Sequence, residues 1–82
     1  MTHRFRVSIE RKPGLSDPEG ATTKKALTDL GFGGVESVSF GRIISLTVDA
    51  VDHDTAQTEI ESMCEKLLAN PVMESYTIES VT

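Results

Sequence analysis

Few side chains of this 82-residue chain have the type and spacing that catalysis or metal binding requires. Cys64 falls on the apolar face of a predicted helix, so its thiol is expected to pack as a small buried hydrophobe. His3, expected near a mobile terminus, and His53 have no metal-ligand spacing with it. Asp52 and Asp54 flank His53 at a predicted helix start. Acidic residues are favourable there because they accept hydrogen bonds from the free backbone amides and interact well with the helix dipole. The sequence therefore predicts no catalytic, cofactor-binding or metal-binding residue.

Two further motifs concern binding. The glycine-rich run 31–34 follows a helix and lacks the lysine and hydroxyl of a phosphate-binding loop. Lys12, Pro13 and Gly14 place a cation before a rigid turn, which either contacts a partner or only ends a strand. Arg42 interrupts an otherwise apolar row, where a charge is costly unless it is paired or leaves the monomer. These four residues are therefore partner-interface candidates.

Composition narrows the class of protein. The net charge of −5 argues against nucleic-acid binding, and four aromatic residues are too few for stacking on single-stranded RNA. One cysteine rules out a disulfide framework and suits a reducing cytoplasm. There is no apolar run of the roughly 20 residues that a membrane span needs, and residues 1–6 lack the pattern of a signal peptide, so we expect none. We expect one soluble cytoplasmic domain over residues 1–82, with a core small enough that self-association would help it.

Apolar periodicity predicts the elements. Phe5, Val7 and Ile9 alternate with polar residues and predict a half-buried strand. Asp17 followed by Pro18 predicts a helix start, and that helix ends at a glycine, residue 31.

In the middle segment, 36–50, six apolar residues fall on even numbers, and this phase continues through Gly41; they are Val38, Phe40, Ile44, Leu46, Val48 and Ala50. This phase fits one long strand bent at Gly41 or a hairpin with a three-residue loop, and the long strand is preferred. Such a strand would reach roughly 50 Å, beyond a globule whose radius of gyration should be about 12 Å, so one end would project and pair with another subunit.

A second helix is predicted from Asp52, and its packed face is expected to contain Ala56, Ile60, Met63, Cys64, Leu67 and Leu68. Asn70 and Pro71 end this helix, and a last strand follows over 72–81. The order predicts an α+β two-layer sandwich with helices on one face of the sheet, close to ferredoxin-like topology, in a strand-mediated dimer.

Several segments resemble the PurS family, the small subunit of phosphoribosylformylglycinamidine synthase from purine biosynthesis. The similarity covers essentially the whole chain, and its most specific part is Met63-Cys64-Glu65-Lys66-Leu67-Leu68-Ala69-Asn70-Pro71-Val72. Further matching segments are Lys12-Pro13-Gly14-Leu15, Asp17-Pro18-Glu19-Gly20, Ala26-Leu27-Thr28-Asp29-Leu30-Gly31 and Gly41-Arg42. Arg42 departs from the family's common lysine but keeps the charge, and Ser16 replaces a usually apolar residue. Asn70 and Pro71 join the interface candidates on this resemblance.

The resemblance implies a subunit without an active site. The complete enzyme takes ammonia from glutamine and uses ATP to form an amidine. A glutaminase subunit and a large synthetase subunit would therefore use the glutamine, ATP and Mg²⁺, and this chain would bind no cofactor. It is expected to form a dimer or tetramer, to bridge the two partners and to help ammonia pass between them. The competing interpretation is a stand-alone small-molecule regulatory module, which rests on fold analogy alone.

Overall fold

A computed structural model describes residues 1–81. The elements, in chain order, are β1 (Thr2–Arg11), α1 (Pro18–Asp29), β2 (Gly41–Asp49), α2 (His53–Met63), a π-helical turn (Cys64–Leu68) and β3 (Glu74–Ser80). The three strands form one antiparallel sheet in the order β2-β1-β3. This arrangement confirms the predicted α+β class. No helix in the described part of the chain is long and apolar enough to cross a membrane.

β1 is the central strand, and its alternation is as predicted. Phe5, Val7 and Ile9 are buried, and the residues between them face solvent or are partly covered. His3 continues the buried row in a strand position opposite Val48, so the expectation that it lies on a mobile terminus was wrong. The buried row packs against α2 and the π turn, and the core contains Phe5, Val7, Ile9, Val48, Ala56, Ile60, Cys64 and Ala69.

β2 is shorter than predicted. It begins at Gly41, and residues 35–40 lie outside any strand, so the segment is neither one long strand nor a hairpin. The predicted phase is nevertheless correct within β2, because Ile44, Leu46 and Val48 all contribute to or pack against the core. The preceding residues pair with no strand within residues 1–81, and the β1–β2 pairing ends where Gly41 lies opposite Glu10.

α1 has the predicted ends but not the predicted position. Asp17 accepts a hydrogen bond from the Gly20 amide at 2.9 Å, and Gly31 has the left-handed φ of +102°. Only Gly20 of this helix is buried, because it abuts the Val38 carbonyl so closely that a Cβ atom would overlap it. The helix contributes nothing to the core, so the prediction that both helices cover the sheet was wrong.

The shape follows from the position of α1. The described chain measures 52 × 25 × 14 Å and its radius of gyration is 16.5 Å, well above the value of about 12 Å expected for a compact globule of this size. Asp17 also accepts a hydrogen bond from the Phe40 amide at 2.7 Å. The helix is therefore attached to the 35–40 segment rather than to the sheet.

α2 begins as predicted and ends differently. Asp52 accepts a hydrogen bond from the Thr55 amide at 2.7 Å and caps the first turn. At the other end the Ala69 amide donates to the Cys64 carbonyl at 3.1 Å, five residues back, so the last turn is wider than an α-helical turn. The wider turn leaves Leu68 half-buried and Leu67 82% exposed, so the prediction that Leu67 faces the core was wrong.

Candidate partner-binding surface

The side chains that could act as nucleophiles, bases or metal ligands do not come together in one site. Cys64 is fully buried, and burial raises the pKa of its thiol, which disfavours the nucleophilic thiolate. His53 packs its ring 5.3 Å from the Phe5 ring and 6.1 Å from the His3 ring, between centroids. Within residues 1–81 there is no group of three or more side chains suited to a metal ion. These side chains contribute packing in the described structure.

The interface candidates converge instead on the loop that joins the π turn to β3. Lys12 donates from Nζ to the Pro71 carbonyl at 2.7 Å, and its backbone amide donates to the Met73 carbonyl at 2.9 Å. Pro13 and Gly14 follow directly and are exposed in a turn. The end of β1 and the 69–73 loop are therefore held together at one end of the sheet.

Arg42 reaches the same loop from β2. Its guanidinium donates to both carboxylate oxygens of Glu74, at 2.7 and 3.2 Å, and to the Leu68 carbonyl at 2.7 Å. Glu74 also accepts a hydrogen bond from the Asn70 amide at 2.8 Å. The Arg42 contact, followed by this amide, lowers the pKa of the Glu74 carboxyl, and Glu74 raises the pKa of Arg42. Arg42 thus satisfies the last carbonyl of the π turn, that of Leu68, and holds the loop against β2 through Glu74.

Asn70 and Pro71 shape the loop itself. The Asn70 side chain accepts a hydrogen bond from the Val72 amide at 3.1 Å. The main-chain carbonyl of Asn70 accepts hydrogen bonds from the amides of Met73 and Glu74, at 3.1 and 2.7 Å. These local bonds form the tight turn that leads into β3. Both Asn70 and Pro71 are exposed. All the sequence-predicted candidates therefore lie on one small surface at one end of the sheet.

Four neighbouring residues were missed. Glu74 was placed on the last strand without a role, although it is the partner of Arg42. Leu67, Val72 and Met73 project from the two sides of the loop and are 82%, 80% and 41% exposed. We call these three residues the apolar knuckle. The sequence signal for it is a run of apolar residues interrupted only by the 69–71 turn, but the sequence pattern places Leu67 on the packed face of the helix and Val72 and Met73 in the last strand.

Comparisons with known proteins agree over almost the full chain. The model of the family described as PurS, phosphoribosylformylglycinamidine (FGAM) synthase, matches residues 4–82. A PurS subunit of that synthase from Archaeoglobus fulgidus is 49% identical over 72 residues, which is 88% of this chain and 90% of the relative.

Solved structures give the same result. PurS from Bacillus subtilis is 33% identical, with a TM-score of 0.86 and full coverage of both chains. PurS from Methanocaldococcus jannaschii is 38% identical, with a TM-score of 0.81 over 98% of this chain and 95% of the other. A chain of the Thermotoga maritima PurLQS structure is 27% identical, with a TM-score of 0.90 over 99% of both chains.

Proposed function

The chain belongs to the PurS family of phosphoribosylformylglycinamidine synthase subunits, and on that premise we propose that it is the adaptor that couples the glutaminase and the ATP-dependent synthetase of this enzyme. It is a subunit of the synthase in purine biosynthesis. Its similarity to a chain of the PurLQS structure is the observation that carries the proposal, because that relative is part of an assembly. Glutamine, ATP and Mg²⁺ are bound by the partners, and the assembly is cytoplasmic.

Coupling is needed because free ammonia is lost. Ammonia becomes protonated in neutral water and diffuses away, so two sites that exchange it work best when they are held close together. A small chain with equivalent faces in a symmetric assembly can hold both partners at once. This is why a subunit without chemistry of its own would control glutamine-driven turnover.

We propose that the surface around Lys12, Pro13 and Gly14, with Arg42 beneath it, contacts the large synthetase subunit. Its support is the convergence of these residues with Asn70 on one exposed, hydrogen-bonded loop. Arg42 supports the surface rather than forming its outermost part, because its guanidinium is occupied by Glu74 and the Leu68 carbonyl.

Self-association is supported by surfaces that remain uncovered. Leu30, Phe32 and Phe40 are exposed around α1, a helix of 12 residues, which is marginal in water without packing. The outer edge of β2 has no strand partner among residues 1–81. We propose that a second copy covers these surfaces and that the β2 edge contributes backbone pairing. Light scattering of the purified chain at micromolar concentration should give a dimer or tetramer, and a stable monomer would contradict this.

Reconstitution tests the adaptor function. The chain is mixed with the glutaminase and synthetase subunits of the same organism, and amidine formation is measured with glutamine and with ammonium. We expect glutamine-driven turnover to require the chain, and ammonium-driven turnover to require it much less. If neither rate responds, the proposed coupling role is wrong, and a ligand-induced rise in melting temperature without partners would favour a regulatory module.

Charge reversal tests the contact surface in the same assay. Lys12→Glu should weaken assembly with the large subunit, whereas Lys24→Glu, at an exposed lysine of α1, is the charge-matched control, and the oligomeric state of both variants is measured alongside. Assembly that is equally tight with Lys12→Glu and the native chain would contradict the role of Lys12. Lys12→Glu loses one hydrogen bond to the loop, from Nζ to the Pro71 carbonyl, whereas Arg42→Glu loses the bonds to both Glu74 and the Leu68 carbonyl and is therefore the poorer test.

A further inference from the structure

Two parts of this chain, α1 and residues 35–40, have no place on the chain's own sheet. In a closed ferredoxin-like domain the strand after the first helix lies in the sheet, and both helices cover one face. Within residues 1–81, however, the sheet ends at β2, and α1 contributes nothing to the core. The chain therefore leaves the position beside β2 unfilled, although it contains a strand segment and a helix that could fill it.

These two parts are joined into one unit, residues 17–40, which we call the arm. The Asp17 carboxylate accepts hydrogen bonds from the amides of Gly20 and Phe40, at 2.9 and 2.7 Å. Gly20 also lies so close to the Val38 carbonyl that a Cβ atom would overlap it. Because these contacts join the helix to the segment that follows it, the arm can be placed on a sheet only as a whole.

The joint between the arm and β2 is not a hairpin turn. Tight two-residue hairpin turns need a positive φ at one or both central residues. In the described part of the chain only Gly14 and Gly31 have a positive φ, so Gly41 makes no such turn. Gly41 instead pairs with Glu10 and lies against the Ile9 carbonyl, where a Cβ atom would overlap. The arm therefore leaves the sheet without folding back on its own β2.

The apolar pattern of the arm matches the partly covered end of β2. Val48 is buried, whereas Ile44 and Leu46, nearer the start of the strand, are only partly buried. Val38 and Phe40 share the even numbering of these residues. Directly opposite residues of an antiparallel pair point to the same face, so pairing even with even numbers places all of them on the core face. The helix of the same arm then covers that face.

We propose that two copies of this chain exchange arms, so that residues 17–40 of each copy lie on the sheet of the other and Gly41 is the hinge. A second copy supplies this strand segment and this helix together, one arm for each sheet, and the contact closes as a dimer. The contacts are those that a closed single chain would make, which is why exchange of an identical element is a low-cost route to a dimer. This exchange rests on the self-association proposed above and specifies how the two copies hold each other.

Lengthening the hinge tests the exchange. One asparagine inserted between Phe40 and Gly41 creates Asn-Gly, which favours a tight hairpin turn and brings Phe40 opposite Arg42. The arm can then fold back on its own sheet, since lengthening a short hinge counteracts domain swapping. The matched control carries the same asparagine between Gly33 and Gly34, whose Cβ positions have no neighbouring atom. Light scattering should give the hinge variant at least a twofold lower mass than the native chain, and the control the native mass.

Hydrogen exchange gives a second readout that needs no variant. A helix of 12 residues is marginal in water without packing, so an uncovered α1 would exchange its amides nearly as fast as the loop 31–34. In the exchanged dimer we expect the α1 amides to exchange at least about 100-fold more slowly than that loop, and the 35–40 amides to be slowed with them. The hinge variant should keep this protection while it is monomeric, because its arm covers its own sheet.

The outcomes separate the exchange from its premise. A native chain that stays monomeric at micromolar concentration would contradict self-association and the exchange together, whereas reconstitution tests the adaptor function independently. If the native chain associates but the hinge variant keeps its mass, the copies do not exchange arms. A monomeric hinge variant with an unprotected α1 would also overturn the exchange, because the arm then does not fit the sheet. If the hinge variant does not fold, the native chain decides: protection of α1 and 35–40 supports the exchange, and unprotected amides refute it.

Discussion

Because of the π turn, truncating Ile60 and truncating Leu67 should have different effects on the free energy of unfolding. In an uninterrupted α-helix both side chains would be buried and both truncations would be costly. Leu67 follows Ile60 by seven residues, two helical turns, and would share its buried face in a regular α-helix. In the structure Ile60 is fully buried and Leu67 is 82% exposed. Truncating each residue to alanine therefore tests whether the helix widens after Met63.

The magnitudes follow from burial. Ile60→Ala removes buried methyl groups from the core cluster that also contains Phe5 and Val7, and should cost about 2–5 kcal/mol, a large share of the stability of so small a domain. Leu67→Ala removes atoms that already contact water, so its cost should stay within about 0.5 kcal/mol. Alanine is also a slightly better helix former than leucine, which reduces the expected cost further.

Urea unfolding followed by far-ultraviolet circular dichroism measures both free energies, because the chain has no tryptophan to report fluorescence. Each variant is measured at two protein concentrations, since association stabilises the folded state by mass action. If Leu67→Ala costs 2 kcal/mol or more at both concentrations, Leu67 belongs to the core and the π turn is wrong. A cost that grows with concentration would place Leu67 in a self-association contact.

Three other perturbations test individual contacts. Glu74 has a pKa below its usual value of 4.5 in the folded chain, so the ionised carboxylate contributes its full stabilisation above pH 4.5 and loses it as the pH falls. Glu74→Gln should therefore be less stable than the native chain at neutral pH and should lose less stability on acidification. The Glu65 carboxylate raises the pKa of Tyr76 to about 12, and Glu65→Gln should move the phenolate absorbance titration of this single tyrosine back toward 10. Gly20→Ala should displace the 35–40 segment and speed its amide exchange, whereas Gly33→Ala, with no atom near its Cβ position, should not. A native-like exchange pattern in Gly20→Ala, an unshifted Tyr76 titration or an unchanged acid limb for Glu74→Gln would each contradict the contact concerned.

Local patterns predicted the elements that local forces determine. The alternation in β1 and the caps at Asp17 and Asp52 depend on neighbouring residues, and the structure confirms them. The position of α1 could not be predicted in this way, because its apolar side chains have no place in the core of a single chain. The apolar spacing of α2 likewise gives no sign of the bond from the Ala69 amide to the Cys64 carbonyl, which turns Leu67 outward.

The candidate surface was predicted as separate residues but not as a surface. Lys12, Arg42 and Pro71 come from three distant parts of the chain, and only the sheet register brings them to one loop. In that register Arg42 lies opposite Ile9, and Glu74 lies opposite Arg11. A sequence pattern contains the strands but not this alignment, so Glu74 could not be recognised as the partner of Arg42.

For Arg42, the cost of placing a charge in an apolar row allows two arrangements. A charge in an apolar row must either be paired or leave the monomer, and the sequence favoured the second outcome. The first is observed, because Glu74 and the Leu68 carbonyl occupy the guanidinium. Its charge is therefore already used within the chain, and Lys12, Pro13 and Gly14 are the exposed candidates that remain for a partner. Arg42 should act on binding only through the loop that it holds in place.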